Sequence, residues 1–171
     1  MTDAQLVQAL EEQHHSCFAW ALACCRWNRD EAEEVLQSTY LKVLEGRARL
    51  NGGAIPRVWI FGVIRLTSCE HRRRGLARIL GLERWRRLKP EPASPSTPED
   101  DSADMHSHFR LRHLLERLSP RQGRLLHLVF YQEMTIEEAS VVMGISLGSA
   151  RTHYERGKAR LRMLMVKEAS R

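Results

Sequence analysis

The chain has 171 residues, of which 43% are hydrophobic, 6% aromatic and 28% charged, and its formal net charge is +6. This composition excludes a disordered chain and suits one medium domain or two small ones. Few aromatic residues and abundant Leu and Arg favour helices over strands, while the basic balance points to a polyanionic partner, either nucleic acid or an acidic surface.

The N-terminal segment has the periodicity of helices. Apolar and small residues recur at three-, four- and seven-residue steps from Leu6 to Cys25, which predicts a first helix. A second helix is expected to begin around Asp30, because Glu31, Glu33 and Glu34 follow where the helix dipole favours acids. Its predicted apolar face consists of Ala32, Val35, Leu36, Thr39, Tyr40 and Val43.

The segment from Gly46 to Pro56 contains three glycines and ends in proline, so it is predicted to be a loop. The nearly continuous apolar stretch from Val58 to Ile64 does not by itself distinguish strand from helix. Its polar continuation to Arg74 makes the whole too long for an ordinary strand, and we therefore predict a helix.

Charge changes abruptly in the middle of the chain. Residues 65–89 contain nine basic and two acidic side chains, whereas residues 90–104 contain five acids, no bases and four of the six prolines. The second segment cannot bury a core and is predicted to be a flexible linker. The expected organisation is therefore a helical domain over residues 1–89, an acidic linker over 90–104 and a second helical domain over 105–171.

The C-terminal third carries clear helix-start signals. Ser119 with Gln122 and Thr135 with Glu138 have the spacing of capping boxes. Gly144 is expected to end the helix that starts after Thr135, and Ser146 to cap the next one. A short helix, a glycine turn and a longer basic helix predict a helix-turn-helix, which makes the expected fold all-α.

The final helix has two contrasting faces. A core-facing stripe is predicted at Leu147, Ala150, Tyr154, Gly157 and Leu161. The opposite face combines hydroxyls, cations and one acid that can reach base edges or phosphates in a major groove, namely Ser146, Ser149, Arg151, Thr152, Glu155, Arg156 and Lys158. Arg151 and Glu155, four residues apart, either reach neighbouring base pairs or pair with each other. The competing interpretation is a solvated helix on a protein-binding bundle.

Other functional classes find less support. His14, His15, Cys17, Cys24 and Cys25 suggest either a metal site or structural core residues, but no C-x-x-C pair is present. No hydrolase, nucleotide-binding or zinc-protease motif occurs, so we expect neither an enzyme nor a cofactor. The start of the chain lacks the features of a signal peptide and no apolar run is long enough to span a bilayer, which predicts a cytoplasmic protein with reduced cysteines.

Three segments together resemble the extracytoplasmic function (ECF) sigma factors of the sigma-70 family. The C-terminal resemblance is carried by Leu118-Ser-Pro-Arg-Gln122, Thr135-Ile-Glu-Glu-Ala139 and the segment from Met143 to Leu161. The segment from Glu31 to Lys42 resembles the helix that docks on the polymerase clamp. The segment from Trp59 to Arg74 resembles the one that melts and reads the minus-ten element. The motifs follow the family order over nearly the whole chain.

The resemblance implies a role for each part. The C-terminal domain would read the minus-thirty-five element, and the linker would thread a basic channel of the polymerase. Polymerase contact would involve Glu34, Gln37, Leu41 and Lys42, and the downstream strand would meet the Gly46–Pro56 loop, Arg65, Arg72, Arg73 and Arg74. Implied partners are core RNA polymerase, promoter DNA and an anti-sigma factor, often membrane-anchored, with no small-molecule substrate. Ser38 and Leu66 depart from the acid and Asn usual in the family.

Two alternatives from other classes remain. A stand-alone helix-turn-helix regulator would need a dimer interface to read paired half-sites, for which the sequence offers no spare apolar helix. A metal-dependent enzyme or sensor would use the cluster from His14 to Cys25.

Overall fold

A computed structural model describes residues 8, 10–50, 55–86 and 114–169, without the side chains of 82–86 and 168–169. The described elements in chain order are α1 (His14–Cys24), α2 (Arg29–Leu44), α3 (Pro56–Arg86), α4 (Pro120–Leu126), a π-helical turn (His127–Tyr131), α5 (Ile136–Met143) and α6 (Leu147–Ala169). No strand occurs within these residues, and the predicted all-α class is confirmed.

The helix-start signals act as their chemistry predicts. The Asn28 side chain accepts a hydrogen bond from the Glu31 amide and begins α2 one residue before the expected start. Ser119 with Gln122 and Thr135 with Glu138 form the two predicted capping boxes. The helix predicted from Val58 is confirmed as part of α3, which begins at Pro56.

The N-terminal core forms between α1, α2 and α3. Trp20 stacks on Phe61 with ring centroids 6.1 Å apart, and its indole Nε1 donates to the Phe61 carbonyl at 2.9 Å. The donated bond satisfies the polar atom of a tryptophan that is otherwise fully buried. The predicted apolar face of α2 is confirmed, with Tyr40 half-buried and the remainder buried, namely Ala32, Val35, Leu36, Thr39 and Val43.

The predicted helix-turn-helix consists of α5, a turn at Gly144 and α6. Gly144 adopts a left-handed conformation, with φ of 60°, that ends α5 where a side chain would be strained. On α6 the predicted stripe faces the core, since Ala150 and Gly157 are buried and Leu147, Tyr154 and Leu161 half-buried. A Cβ atom at Gly157 would lie 3.2 Å from the Gln122 Cβ, so α6 approaches α4 closely there.

The N-terminal and C-terminal helices share one apolar core. Trp20 and Phe61 from the first part belong to the same buried cluster as Leu125, Leu128 and Val142 from the second. A smaller buried cluster contains Leu164 of α6 together with Leu114, Leu118 and Leu126. The predicted linker at 90–104 lies outside the described residues, and the division into domains at that segment stays a prediction.

Candidate nucleic-acid interface

The outer face of α6 is open at the positions predicted to meet DNA. Ser149, Arg151, Thr152, Glu155 and Arg156 are exposed, because the 3.6-residue period places them opposite the core stripe. Ser146 is also exposed but acts as the helix cap. Its hydroxyl oxygen accepts from the Ser149 amide at 3.2 Å and its hydroxyl donates to the Ser149 hydroxyl at 2.9 Å. The first turn of α6 is thus ordered before any ligand arrives.

The charged side chains on the outer face of α6 differ in whether they have a partner. Glu155 accepts from the Lys158 ammonium at 3.3 Å, and the same ammonium lies 4.8 Å from the centre of the Tyr154 ring. Glu155 therefore pairs with Lys158 and not with Arg151, so the predicted alternative of an Arg151–Glu155 pair does not occur. The side chains of Arg151 and Arg156 make no hydrogen bond or ion pair to any other described residue. Their guanidinium groups need not give up a partner to bind base or phosphate.

The four arginines predicted to meet the downstream element divide into two groups. The three consecutive residues Arg72, Arg73 and Arg74 of α3 are all exposed and form a cationic patch. Arg65 is half-buried, and its Nε donates to the Val142 carbonyl at the end of α5 at 2.7 Å. The structure therefore separates Arg65 from the triplet, because it contacts the C-terminal part of the same chain.

Three of the four predicted polymerase-binding residues share the outer side of α2, and Lys42 does not. Glu34, Gln37 and Leu41 are exposed, together with Ser38 between them. Leu41 is 55% exposed, so its side chain is open to contact by a partner. Lys42 is instead held against α3, where its ammonium donates to Thr67 Oγ1 at 3.1 Å and Glu70 Oε2 at 2.6 Å. Lys42 thus orients α2 on α3 in this structure.

A groove of about 520 Å³ lies between the end of α2, the start of α3 and α5. Its apolar floor includes Trp59, Val63 and Leu66, and Val141 closes the α5 side. Arg47 and Arg49 of the predicted loop stand at its rim, where Arg47 pairs with Glu45 and Arg49 donates to the Gly46 carbonyl. Residues 51–54 of that loop lie outside the described residues. Trp59 and Val141 were not predicted as lining residues, because only the packing of α5 on α3 brings them together.

The three cysteines of the predicted cluster belong to the core, whereas His14 and His15 are exposed. Cys17, Cys24 and Cys25 are buried free thiols, and desolvation raises their pKa to about 11, 12 and 11. His14 Nδ1 lies 3.1 Å from the Tyr40 hydroxyl, and His15 is exposed. In the described part of the chain, no three His, Cys, Asp or Glu side chains are grouped closely enough for a metal ion. Burial in the protonated form suits packing, since a metal ligand must be a thiolate.

Comparison with known proteins found a family model that matches the C-terminal part of the chain. The family model described as sigma-70, region 4 matches residues 108–161, which include α4, α5 and most of α6. The RNA polymerase sigma-E factor of Streptomyces coelicolor is 32% identical over 89 residues, and this alignment covers 49% of the chain and 50% of that protein. The chain thus spans about half the length of this relative.

Two further relatives match over most of the chain. The RNA polymerase sigma factor CarQ of Myxococcus xanthus is 26% identical over 134 residues, covering 78% of the chain and 74% of CarQ. The solved structure of the sigma factor RpoE in complex with the anti-sigma factor NepR, from Bartonella quintana, superimposes with a TM-score of 0.70. The sequence identity there is 20%, over 94% of this chain and 96% of that one. Residues 108–161 thus match sigma-70 region 4, and the chain as a whole is similar to RNA polymerase sigma factors in sequence and to a sigma factor in fold.

Proposed function

We propose that this protein binds core RNA polymerase, directs it to a set of promoters and helps to open them. The observation that carries the proposal is the outer face of α6, which is capped, exposed and charged, within the segment that matches sigma-70 region 4. In this assignment Arg151 and Glu155 read bases of the upstream element, since guanine accepts from arginine and the cytosine amino group donates to a carboxylate. Arg156 and Lys158 bind phosphates, and Ser149 and Thr152 approach base edges.

The N-terminal helices would provide the other two functions. Polymerase binds the outer side of α2 through Glu34, Gln37 and the exposed Leu41, with Lys42 at its border. The triplet from Arg72 to Arg74 and the loop before α3 hold the non-template strand once it separates. Bases that leave a duplex need stacking surfaces and cations, and the groove beside Trp59 offers both. The mechanism is binding and strand capture, with no covalent step by this chain, and the family is not one of enzymes.

The proposal extends to domains, location and partners. We assign residues 1–89 to polymerase docking and the downstream element, 90–104 to an acidic linker and 105–171 to the upstream element. Within the described residues, no helix combines the length and apolar character that spanning a membrane requires. A cytoplasmic location and control by an anti-sigma factor are parts of the proposal, the latter supported by the fold match to a sigma factor bound to one.

Reconstituted transcription tests this function. The purified full-length chain is mixed with core RNA polymerase and genomic DNA fragments, and the transcripts are sequenced. We expect start sites that require both components and share two upstream sequence elements. A chain that binds paired half-sites as a dimer, without polymerase and without new transcripts, would instead be the stand-alone regulator. Size-exclusion chromatography of the free chain, with a monomer expected, provides the supporting measurement.

A further inference from the structure

The second half of α3 projects beyond the packed core. Ser68 is the last buried residue of this helix, and His71, whose Nε2 lies 3.6 Å from a Glu34 carboxylate oxygen, is the last described side chain to pair with another helix. Among residues 72–81 no side chain is buried, and none forms a hydrogen bond or ion pair with a described residue. We call residues 72–86 the α3 extension, which is about 22 Å long at roughly 1.5 Å per residue.

Three large apolar side chains form a stripe on the α3 extension. Leu76, Ile79 and Leu80 are 54%, 55% and 66% exposed. Their spacing of three and four residues places them on one face of the helix, which we call the apolar stripe. Single exposed leucines are ordinary on a folded protein, but neighbouring ones form a continuous apolar surface. The stripe therefore offers an apolar contact to something outside the fold.

Arginines accompany the apolar stripe. Arg72 and Arg73 stand one turn before the stripe on the same side of the helix, while Arg74 and Arg78 lie on the opposite face. All four are exposed, and residues 71–82 contain no Asp or Glu. An apolar face backed by a basic one is the pattern of a helix that lies in the plane of anionic lipid headgroups.

Other occupants account for only part of this surface. DNA phosphates would bind the arginines and leave the apolar stripe exposed. The acidic segment 90–104 contains no Val, Leu, Ile, Met or aromatic residue with which to cover the stripe. A second copy of the α3 extension would bring like charges together, because the same arginines accompany its own stripe. A bilayer surface satisfies both features, since it offers phosphates beside acyl chains and accepts a convex helix.

We propose that the α3 extension binds the surface of an anionic membrane, with the apolar stripe toward the acyl chains and the arginines on lipid phosphates. Guanidinium groups suit that contact because they bind phosphate oxygens in pairs. The inference does not rest on the proposed function, because membrane binding needs neither polymerase nor promoter. It bears on that function all the same. The triplet from Arg72 to Arg74 is assigned above to the non-template strand, so a membrane and an open promoter would compete for it.

Vesicle flotation of the purified full-length chain tests the proposal. We expect the chain to float with vesicles of equal parts phosphatidylcholine and phosphatidylglycerol but not with phosphatidylcholine alone. High salt should release it, because salt screens the attraction between arginines and anionic headgroups. Ile79→Gln/Leu80→Gln keeps the charge and the helix propensity, and should weaken vesicle binding by about tenfold or more. Arg73→Gln should weaken it by about fivefold.

A matched control removes apolar side chains elsewhere. Met163 and Met165 of α6 are 59% and 52% exposed, but their spacing of two residues places them on different faces of the helix. Met163→Gln/Met165→Gln should therefore bind vesicles as the wild type does. All the substituted side chains are exposed, so the thermal unfolding midpoint of each variant should match that of the wild type.

The outcomes separate a membrane surface from the alternatives. A wild-type chain that does not float with anionic vesicles, or floats equally with phosphatidylcholine alone, would overturn the proposal. Full binding by the Ile79/Leu80 variant would overturn it as well, and so would an equal loss in the Met163/Met165 control. Single-stranded DNA binding that needs Arg73, by a chain that floats with neither kind of vesicle, would make the α3 extension a nucleic-acid surface instead. Flotation as expected, without transcription in the reconstituted assay, would support the membrane helix and overturn the proposed function.

Discussion

The guanidinium of Arg65 occupies the space in which residue 144 would carry a side chain, with Nη2 only 2.9 Å from the ideal Cβ position of Gly144. Gly144 also has a φ of 60°, so it meets two requirements at once. It ends α5 in the left-handed conformation, and it leaves room for Arg65 to reach the Val142 carbonyl.

Gly144→Ala should therefore destabilise the protein twice over. The left-handed backbone costs about 1–2 kcal/mol for a residue with a Cβ, and the displaced Arg65 loses its carbonyl partner. Gly144→Asn separates the two effects, because Asn tolerates the left-handed conformation but still displaces Arg65. Urea denaturation measures both. Gly75→Ala on α3, with no atom within 4 Å of the added Cβ, should instead raise stability by up to about 1 kcal/mol. Equal stability of Gly144→Ala and wild type would contradict this double role of Gly144.

Leu41→Arg should abolish binding of core polymerase while leaving the fold intact. Leu41 is 55% exposed on the outer side of α2, so a charge there costs little in the free chain but opposes an apolar contact with a partner. Co-purification with polymerase and the thermal unfolding midpoint are the two measurements. Leu36→Arg, at a position only 4% exposed, is the comparison and should unfold the domain. If the Leu41 variant co-purifies with polymerase at wild-type yield, α2 is not part of the docking surface.

Arg151 and Lys158 should differ in the kind of DNA contact they make. Arg151 has no partner among the described residues, whereas Lys158 is held by Glu155 and Tyr154 toward the later part of α6. Arg151→Ala should lower the binding free energy by about 1–3 kcal/mol and relax the base preference at one position. Lys158→Ala should weaken binding to all DNA sequences alike. It should also reduce the slope of log affinity against log salt concentration by about one.

Binding of the polymerase holoenzyme to a promoter library randomised in the upstream element, at several salt concentrations, distinguishes these contacts. Uniform weakening by Arg151→Ala, with base preference unchanged, would make Arg151 a phosphate contact. Specificity would then have to come from Ser149, Thr152 or DNA shape.

His127 should make stability depend on pH. Burial lowers its pKa from 6.5 to about 4, since the ring lies between Trp20 and Tyr131 with little access to water. Between pH 6.5 and about 4, His127 is therefore protonated in the unfolded chain and neutral in the folded chain. Stability is full above pH 6.5 and falls as the pH drops through this window, by up to about 3 kcal/mol.

Urea denaturation of wild type and His127→Gln at several pH values between 4 and 7 measures this contribution. The variant should be less stable at neutral pH and should lose less stability on acidification than wild type does. His153→Gln, at a half-buried position on α6, is the matched control. If wild type and the His127 variant lose the same stability on acidification, groups other than His127 cause the loss.

Local features could be predicted from the sequence because their causes are local. The capping pairs at Ser119 and Thr135, the end of α5 at Gly144 and the two faces of α6 depend on residues within one or two turns of each other. The exposed positions of the candidate interface follow from the same helical period, so the periodicity alone predicts that Ser149, Arg151 and Glu155 face outward. The cysteine cluster could not be resolved that way, because core packing and metal ligation use the same residue types.

Only the tertiary structure decided what the long-range partners are. Arg65 belongs to a basic segment predicted to bind DNA, yet it donates to the carbonyl oxygen of Val142, 77 positions away. Arg57, for which the sequence predicted no partner, donates to the carbonyl oxygen of Gln132, 75 positions away. The groove beside Trp59 likewise acquires its Val141 wall from another helix. Helix periodicity records which face of an element is apolar but carries no information on which distant element covers it. Which distant element covers an apolar face depends on complementarity of shape and of hydrogen bonds across the fold. In this protein that complementarity joins the two predicted domains through a common core that includes Trp20, Phe61 and Leu128.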